Sequence, residues 1–185
     1  GPTPVSPPTV ARSSTTTLAK VVAITDAGRA LVATAASVPE VTGRSRGAAV
    51  SEVFTTQKGE QVLALVAKRS RPSANADDLL SAAGTESDVA PFLIVTASGV
   101  VKRVTVDEVL ETPNGKPVIK LKPGDTVVAA FAASDGDEVI LVSSNAQALR
   151  TDATSISVQG RGAGGVAGMK LSDGATVIAA GPAGA

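Results

Sequence analysis

A pattern of short apolar runs and tight turns occurs three times along the chain and constrains its fold more than any other feature. The repeats span 20–67, 90–133 and 137–181. Each repeat opens with an apolar run, turns, returns in a second run, crosses an irregular glycine-containing stretch, and closes with a turn and a last apolar run. Repeats of about 45–50 residues with roughly four strands are typical of propeller-like blades.

The apolar runs are rich in Val, Ile and Thr and are bounded by Gly, Asp, Asn or Ser, which predicts β-strands. None is long enough, with a 3.6-residue period, to predict a helix. In the tight turns a glycine, or in the third repeat the neighbouring Asn145, is expected to supply a positive φ. The predicted strands are 20–25, 29–34, 61–66, 92–96, 100–106, 126–131, 139–143, 147–151 and 176–180.

These patterns divide the chain into one all-β domain over 20–185 and a Pro-, Ser- and Thr-rich stretch over 1–19. We expect the first stretch to be a linker or an N-terminal arm. Residues 68–89 show no strand pattern, and we expect an inter-blade linker there. The chain begins with Gly1-Pro2 and not with Met, which is typical of a processed chain or of a piece of a longer protein.

The amino-acid composition excludes several kinds of site. The chain contains no His, Cys, Trp or Tyr. This excludes His/Cys zinc sites, cysteine or tyrosine nucleophiles, Ser-His-Asp triads and disulfide frameworks, and it leaves almost no aromatic surface for stacking on bases. The three phenylalanines, Phe54, Phe92 and Phe131, lie in apolar stretches and are expected to be core residues.

The charges balance over the whole chain, with 17 basic and 17 acidic side chains. A dedicated nucleic-acid-binding protein usually has a basic excess. The charge is uneven, however, because basic side chains prevail over 1–71 and only acidic ones occur over 72–89. A local basic face is therefore compatible with this sequence. The apolar runs are too short to cross a bilayer, so we expect no membrane partner and a cytoplasmic location.

The repeats also carry specific motifs in a fixed order. The second repeat has Lys102-Arg103 at the end of a strand and Pro123-Gly124-Asp125 before its last strand. The first and third repeats have basic, glycine-containing stretches, and the third closes with an Asp-Gly turn. In these features, over about 20–181, the chain resembles the C-terminal blades of the type IIA DNA topoisomerase A subunits, the family of the A subunits of DNA gyrase and topoisomerase IV. The remaining motifs that carry the resemblance are Gly43-Arg44-Ser45-Arg46-Gly47, Gly160-Arg161-Gly162, Gly165-Val166 and Asp173-Gly174.

The resemblance implies a fold, a role and partners. The family fold is a β-pinwheel, a propeller-like ring whose blades exchange strands, and its role is to bind duplex DNA on the outer rim and bend it. The implied partners are duplex DNA, the remaining domains of the topoisomerase A subunit, and the ATPase B subunit, at the bacterial nucleoid. The implied module has no catalytic residues, metal or cofactor, since DNA cleavage resides in another domain. Three repeats predict an open arc, or a ring whose other blades have diverged.

One stretch bears on the type of topoisomerase. Gyrases use a Gln-Arg-Arg-Gly-Gly-Lys-Gly box for full DNA wrapping, and the nearest stretch here is 159–165. Gln159, Arg161, Gly162 and Gly165 match the box, whereas the second Arg and the Lys are absent. The resemblance therefore favours the topoisomerase IV type over gyrase-style wrapping.

Bending DNA requires cations spaced along a curved path, and it requires no contacts that read bases. The resemblance points to basic side chains at the ends of second strands, and to glycine-rich loops in which backbone amides can also approach phosphates. The simpler interpretation is that each of these basic side chains is an ordinary solvated surface charge. The candidate DNA-binding residues are Arg44, Arg46, Lys102, Arg103, Lys120, Lys122, Arg150, Gln159, Arg161 and Lys170, with Lys116 beside them.

Two other classes of function remain open at this point. The near-absence of aromatic residues and the zero net charge are compatible with a propeller-like protein-interaction module that does not bind DNA. A free-standing enzyme is the weaker alternative. Its best candidates are the carboxylate pairs Asp107-Glu108 and Asp137-Glu138, and neighbouring residues on a strand point to opposite faces.

Overall fold

The structure is a computed structural model that describes residues 20–38, 49–68 and 90–183. Over these ranges the fold is all-β, with three antiparallel sheets. The predicted arm (1–19), the basic stretch 43–47 and positions 69–89 of the predicted linker lie outside the described residues. None of the helices in the described part of the chain has the length and apolar content that crossing a membrane requires.

The elements alternate strands with short helices. Single turns of 3-10 helix follow two of the strands, at Ala35–Ser37 and Ala153–Ser155. The helices are α1 (Val50–Val53) and α2 (Val106–Glu111), and the strands are β1 (Lys20–Thr25), β2 (Ala30–Thr34), β3 (Val62–Lys68), β4 (Phe92–Thr96), β5 (Val100–Val104), β6 (Val127–Ala132), β7 (Glu138–Ser143), β8 (Ala148–Asp152), β9 (Val166–Ala167) and β10 (Val177–Pro182).

Each repeat builds a sheet around its own first strand. We call the repeats unit 1 (20–67), unit 2 (90–133) and unit 3 (137–181). Their strand orders are β2-β1-β3, β6-β4-β5 and β10-β7-β8. The turn after the first strand has a positive φ at Gly28 (71°) and Gly99 (87°), as predicted. In unit 3 the positive φ falls on Ala146 (61°) and not on Asn145, at a cost of about 1 kcal/mol for a residue with a Cβ.

Successive units are joined by exchanged backbone. In unit 3, β9 pairs with β5 of unit 2 and completes a four-stranded sheet, β6-β4-β5-β9. Unit 2 makes the corresponding joint with β2 of unit 1. There the Ala30 amide donates to the Lys116 carbonyl (2.8 Å), and the Gly115 amide donates to the Ala30 carbonyl (2.7 Å). Each unit therefore lays its irregular stretch along the second strand of the unit before it.

The predicted strand 100–106 ends early. Strand β5 stops at Val104, and helix α2 starts at Val106. The Thr105 hydroxyl caps the helix by accepting from the Glu108 amide (3.2 Å), and this pattern is a known helix start signal. The buried residues Val106, Val109 and Leu110 show helical spacing, but six residues are too few for a clear period. The pair Asp107-Glu108 therefore lies on a helix and not on a strand.

The hydrophobic core lies mainly between the units. One cluster combines Val22 and Ile24 of unit 1 with Ile94 and Ile119 of unit 2. A second cluster combines side chains of units 2 and 3, among them Leu93, Val95, Val139 and Leu141. The phenylalanines are core residues as predicted: Phe54 and Phe92 are buried, and Phe131 packs half-buried on the second cluster. Because neighbouring units share their cores, burial fixes the position of one unit on the next.

Candidate nucleic-acid interface

Three exposed cations line one groove where units 2 and 3 meet. The groove has a volume of about 420 Å³ and is lined by Pro113, Lys116, Pro117, Lys120, Arg161 and Gly162. Lys116 and Lys120 come from the stretch of unit 2 that lies on unit 1. Arg161 comes from the stretch of unit 3 that lies on unit 2. The sequence-predicted residues Lys120 and Arg161 are thus brought together, although 41 positions separate them in the chain.

Backbone hydrogen bonds hold the two sides of this groove in place. The Lys120 amide donates to the Ala163 carbonyl (3.1 Å), which ties the two stretches together. The Arg161 amide donates to the Glu108 carboxylate (3.0 Å) on α2. Since their backbones are fixed, the exposed side chains of Lys120 and Arg161 start from defined positions on the surface. No motif in the sequence indicated the positioning role of Glu108.

A second, smaller cleft of about 200 Å³ borders the first. Lys120 borders both clefts, and Lys122 and Gly165 line the second one. Gly165 has a φ of 85°, and a Cβ at this position would lie 2.6 Å from the carbonyl oxygen of Val101. This glycine is therefore required for the close approach of unit 3 to β5. The cleft exposes Lys122 beside a glycine-rich backbone, a surface on which phosphate oxygens and amides can meet.

The cation at Lys120 recurs in the next unit. Lys120 and Lys170 each lie four positions before the glycine of the closing turn, Gly124 or Gly174, and both side chains are exposed. Both glycines have a positive φ, near 80°. Equivalent positions of successive units face the same side of a repeat protein. Lys120 and Lys170 therefore mark one side of the arc at the spacing of the units.

Lys102 was predicted to contact DNA, but the structure buries it completely. Its ammonium donates to the carbonyls of Val118 (2.7 Å) and Ala163 (2.9 Å), one on each of the two joining stretches. Burial lowers the pKa of Lys102 to about 8, although the negative charge of Glu108 opposes this shift. Lys102 therefore ties the two joints together and presents no charge to a phosphate. The repeat pattern does indicate that this position is apolar, because the positions equivalent to Lys102 in units 1 and 3 are occupied by Leu31 and Leu149.

Arg103 is also buried, contrary to the prediction of a DNA contact. Its Nε donates to the Ile156 carbonyl (2.6 Å), and its Nη1 pairs with Asp135 (2.7 Å). Both partners lie in or just before unit 3. The guanidinium thus links unit 2 to unit 3, and its donors face protein. Neither Lys102 nor Arg103 is therefore available to contact a phosphate.

The remaining candidates lie elsewhere. Gln159 is half-buried at the joint, where its amide donates to the Arg103 carbonyl (2.8 Å) and its side-chain Oε1 is buried without a partner among the described residues. Arg150 is exposed on β8 and pairs with Glu138 at 3.4 Å. Arg44 and Arg46 fall outside the described residues. In the described part of the chain no group of three or more acidic side chains could hold a metal ion.

Comparison with protein families gives a match over all three repeats. The model of the DNA gyrase C-terminal domain, a beta-propeller, matches residues 19–66, 91–134 and 137–183. Among curated relatives, the A subunit of DNA gyrase from Treponema pallidum is 30% identical over 139 residues, covering 75% of this chain and 15% of that protein. The same gyrase subunit from Mycolicibacterium smegmatis is 29% identical over 153 residues, covering 80% and 16%. The chain thus spans about a sixth of the length of these relatives.

Solved structures share the fold. The C-terminal domain of DNA topoisomerase IV superposes with a TM-score of 0.75 at 21% identity, covering 91% of this chain and 48% of that one. The DNA gyrase A C-terminal domain gives a TM-score of 0.60 at 22% identity, covering 90% and 48%. These likenesses confirm the all-β, propeller-like architecture predicted from the repeats and the β-pinwheel that the family resemblance implies. With the family match over all three repeats, the chain belongs to the DNA gyrase C-terminal domain family.

Proposed function

We propose that this chain binds duplex DNA without sequence preference and bends it, as the C-terminal module of a type IIA topoisomerase A subunit. The observation that carries the proposal is the groove in which Lys116, Lys120 and Arg161 converge. Cations on a surface displace condensed counterions from phosphates, which supplies binding free energy independent of base sequence. The family membership and the names of the relatives support the assignment to a topoisomerase A subunit.

Bending follows from the placement of cations along the arc. Lys120 and Lys170 repeat at unit spacing on one side, and Lys122 extends the set beside Lys120. A duplex that contacts cations in successive units must follow the curvature of the units. Smooth bending of a site of 20–30 base pairs costs on the order of 1–6 kcal/mol, which the additional phosphate contacts have to supply. Because the net charge of the chain is zero, we expect weak binding with a steep salt dependence.

The role in the whole enzyme would be to present a DNA segment for strand passage, with the topoisomerase IV type favoured by the incomplete box at 159–165. We propose that cleavage and ATP hydrolysis reside in other parts of the enzyme, in the remaining A-subunit domains and the B subunit. The chain contains no tyrosine for covalent attack on DNA, and none of the proposed contacts requires a cofactor. The proposed location is the bacterial cytoplasm, at the nucleoid.

Fluorescence anisotropy tests the DNA interface. A labelled duplex of about 40 base pairs is titrated with the chain at several salt concentrations, beside the double variant Lys120→Ala/Arg161→Ala. We expect the variant to bind at least about tenfold more weakly. The log–log salt slope should fall by about 0.9 for each phosphate that the variant no longer neutralises.

The matched control removes the same net charge away from the groove, in Lys20→Ala/Arg150→Ala. Lys20 is the first residue of β1, at the end remote from the turn after Thr25, and its ammonium donates to the Leu110 carbonyl. Arg150 lies on β8. The control should bind within about twofold of the parent chain, since neither Lys20 nor Arg150 lines the two clefts. Equal weakening of both double variants would remove the groove as the DNA site. No binding by the parent chain at low salt would move the function to a protein-interaction module.

A further inference from the structure

A buried lysine joins the two walls of the proposed DNA groove from inside the protein. Lys102 on β5 is fully buried. Its ammonium donates to the Val118 carbonyl (2.7 Å) and to the Ala163 carbonyl (2.9 Å). Val118 adjoins Pro117 on one wall of the groove, and Ala163 adjoins Gly162 on the other. The ammonium therefore bridges the two walls without reaching the surface between them.

The Ala163 carbonyl connects this bridge to the cations of the groove. It accepts from the Lys102 ammonium and also from the Lys120 amide (3.1 Å). Arg161 lies two residues before Ala163, and its amide donates to the Glu108 carboxylate (3.0 Å). A shift of this carbonyl therefore changes the separation of Lys120 and Arg161. Binding is stronger when the binding groups are already held in place, so this separation affects the affinity for phosphates.

The other repeats show that the fold itself does not require a cation at this position. The equivalent residues are Leu31, which is buried, and Leu149. Burying an ammonium costs free energy that burying a leucine does not, even when the ammonium is hydrogen-bonded. An apolar side chain therefore satisfies the fold here, and the ammonium of Lys102 calls for a role beyond packing.

The charged groups around Lys102 determine how firmly it holds its proton. Burial lowers its pKa to about 8, and the Glu108 carboxylate on α2 opposes this shift. The joining stretches carry the cations Lys120 and Arg161, and Arg103 is the neighbouring cation on β5. Strands β4 and β9, on either side of β5, contain no ionisable residue. A neutral amine makes weaker hydrogen bonds than an ammonium, so both bonds across the walls weaken as pH rises through this pKa.

We propose that Lys102 is a positioning residue for DNA binding: its ammonium holds the two walls at the separation at which Lys120 and Arg161 engage phosphates, and DNA binding is linked to its protonation. This inference rests on the proposed function, and Lys102 itself contacts no phosphate. DNA then favours the protonated lysine. By linkage, the affinity for DNA falls as pH rises through the pKa of the free chain, and bound DNA raises that pKa by the corresponding amount.

A measurement without DNA tests the bridge. Carbon-detected NMR follows the carbonyl resonances of Val118 and Ala163 from about pH 6.5 to about pH 10. We expect both to titrate together with a midpoint near 8 in the parent chain, and Lys102→Met should abolish this titration. Glu108→Gln should lower the midpoint, because it removes the carboxylate that favours the proton but keeps an oxygen for the Arg161 amide.

The outcome of this titration is decisive without any DNA. Carbonyl resonances that do not titrate in the parent chain, or that titrate unchanged in Lys102→Met, would overturn the proposal. If Lys102→Met does not fold, Glu108→Gln decides the question, since a midpoint that it leaves unchanged would overturn the proposal as well.

A second measurement tests the link to DNA. The anisotropy titration is repeated at about pH 7 and about pH 9.5, at constant salt. Between these values the parent chain should lose at least about threefold more affinity than Lys102→Met, and DNA should raise the midpoint of the carbonyl titration by about half a pH unit. The matched control is Lys20→Met. It removes an ammonium that also donates to a carbonyl of a neighbouring unit, Leu110 at 3.2 Å, but lines neither cleft.

The control should keep the pH-dependent loss of the parent chain. DNA binding by the parent chain with the same pH profile as Lys102→Met would overturn this inference and leave the proposed function standing. Loss of the pH dependence in Lys20→Met would also overturn it, because the effect would then belong to any lysine between units. Absence of DNA binding by the parent chain at low salt would overturn the proposed function, and the link to DNA with it.

Discussion

Two adjacent basic residues on β5 join neighbouring units, a role that a solvated surface charge does not have. Lys102 and Arg103 are both buried, and every hydrogen bond described for their side chains goes to protein carbonyls or to Asp135. A buried cation is tolerated when it is paired or hydrogen-bonded, and each of these two side chains donates two hydrogen bonds. The two residues therefore hold units together, and the proposed phosphate contacts lie on exposed side chains such as Lys120 and Arg161.

The lowered pKa of Lys102 predicts how stability depends on pH. Its folded pKa of about 8 lies below its ordinary value of 10.5, so between these values the unfolded chain binds a proton that the folded chain lacks. The free energy of unfolding must therefore rise with pH across this window, by about 2 kcal/mol between pH 7 and pH 10. The chain has no His, Cys or Tyr to titrate in the same range. Urea unfolding followed by far-ultraviolet circular dichroism measures the rise.

The control for this prediction is Lys102→Met, which keeps the apolar stem and removes the ammonium. We expect this variant to lack the pH-dependent rise, whatever its absolute stability. It should also be destabilised at pH 10 by about 1–3 kcal/mol, because the Val118 carbonyl loses its donor. A parent chain whose stability is flat or falls from pH 7 to pH 10 would contradict the buried, proton-linked lysine.

At the scale of single residues, the sequence predicts the turn glycines and the core phenylalanines, but it does not predict the burial of Lys102. Gly28 and Gly99 were identified from their turns, and the phenylalanines from their apolar surroundings. The burial of Lys102 could not be inferred from its own strand, because it depends on two stretches 16 and 61 positions away. The positive φ of Ala146 was missed because Asn145 is the better residue for it on local grounds.

The joining stretch of unit 3 is the element on which the proposed DNA interface depends. Residues 159–168 contribute Arg161 to the groove and pair with β5, so one stretch serves both the joint and the charged surface. The partial match to the gyrase box at 159–165 therefore has a structural component. Gln159 and Gly165 contact unit 2, whereas Arg161 lines the groove.

A pair of glycine substitutions separates the joint from backbone strain. Gly124 and Gly165 both have a positive φ, but a Cβ at Gly124 meets nothing within 4 Å, and one at Gly165 meets the Val101 carbonyl at 2.6 Å. Gly124→Ala should cost about 1–2 kcal/mol from the backbone alone. Gly165→Ala should cost a further 1–3 kcal/mol, roughly, for the steric conflict at the joint. Urea midpoints at a constant m-value give both numbers.

Equal destabilisation by the two substitutions would show that the close approach of unit 3 to β5 is absent in solution. In the predicted case, Gly165→Ala should also weaken DNA binding, since it displaces the stretch that carries Arg161. Gly124→Ala should leave binding within about twofold of the parent value, because its turn stays in place.

The strands were largely predictable and the connections were not. Alternating Val, Ile and Thr between turn residues located the strands of all three units within a few residues. Helix α2 was missed because a six-residue helix gives no clear period, although Thr105 followed by Glu108 is a capping signal. Strand β9 has two residues, and its pairing with β5 depends on the partner strand more than on its own sequence.

The whole molecule is a row of units held by shared cores and exchanged backbone. The repeat in the sequence predicted this class of fold, because each unit leaves an apolar face that only a neighbour can bury. Local sequence patterns do not identify which residues are buried between units. Burial at such a position depends on contacts with the following unit, as the contrast between the buried Arg103 and the exposed Arg150 shows.

Bending of DNA by the parent chain tests the central claim most directly. A duplex of about 25 base pairs, roughly 85 Å long, carries a donor and an acceptor dye at its ends, and energy transfer is measured as the chain is added at low salt. We predict that transfer rises to a plateau as the duplex is saturated, and that Lys120→Ala/Arg161→Ala lowers the plateau even when binding is driven to saturation. Saturated binding by the parent chain without any rise in energy transfer would contradict the account.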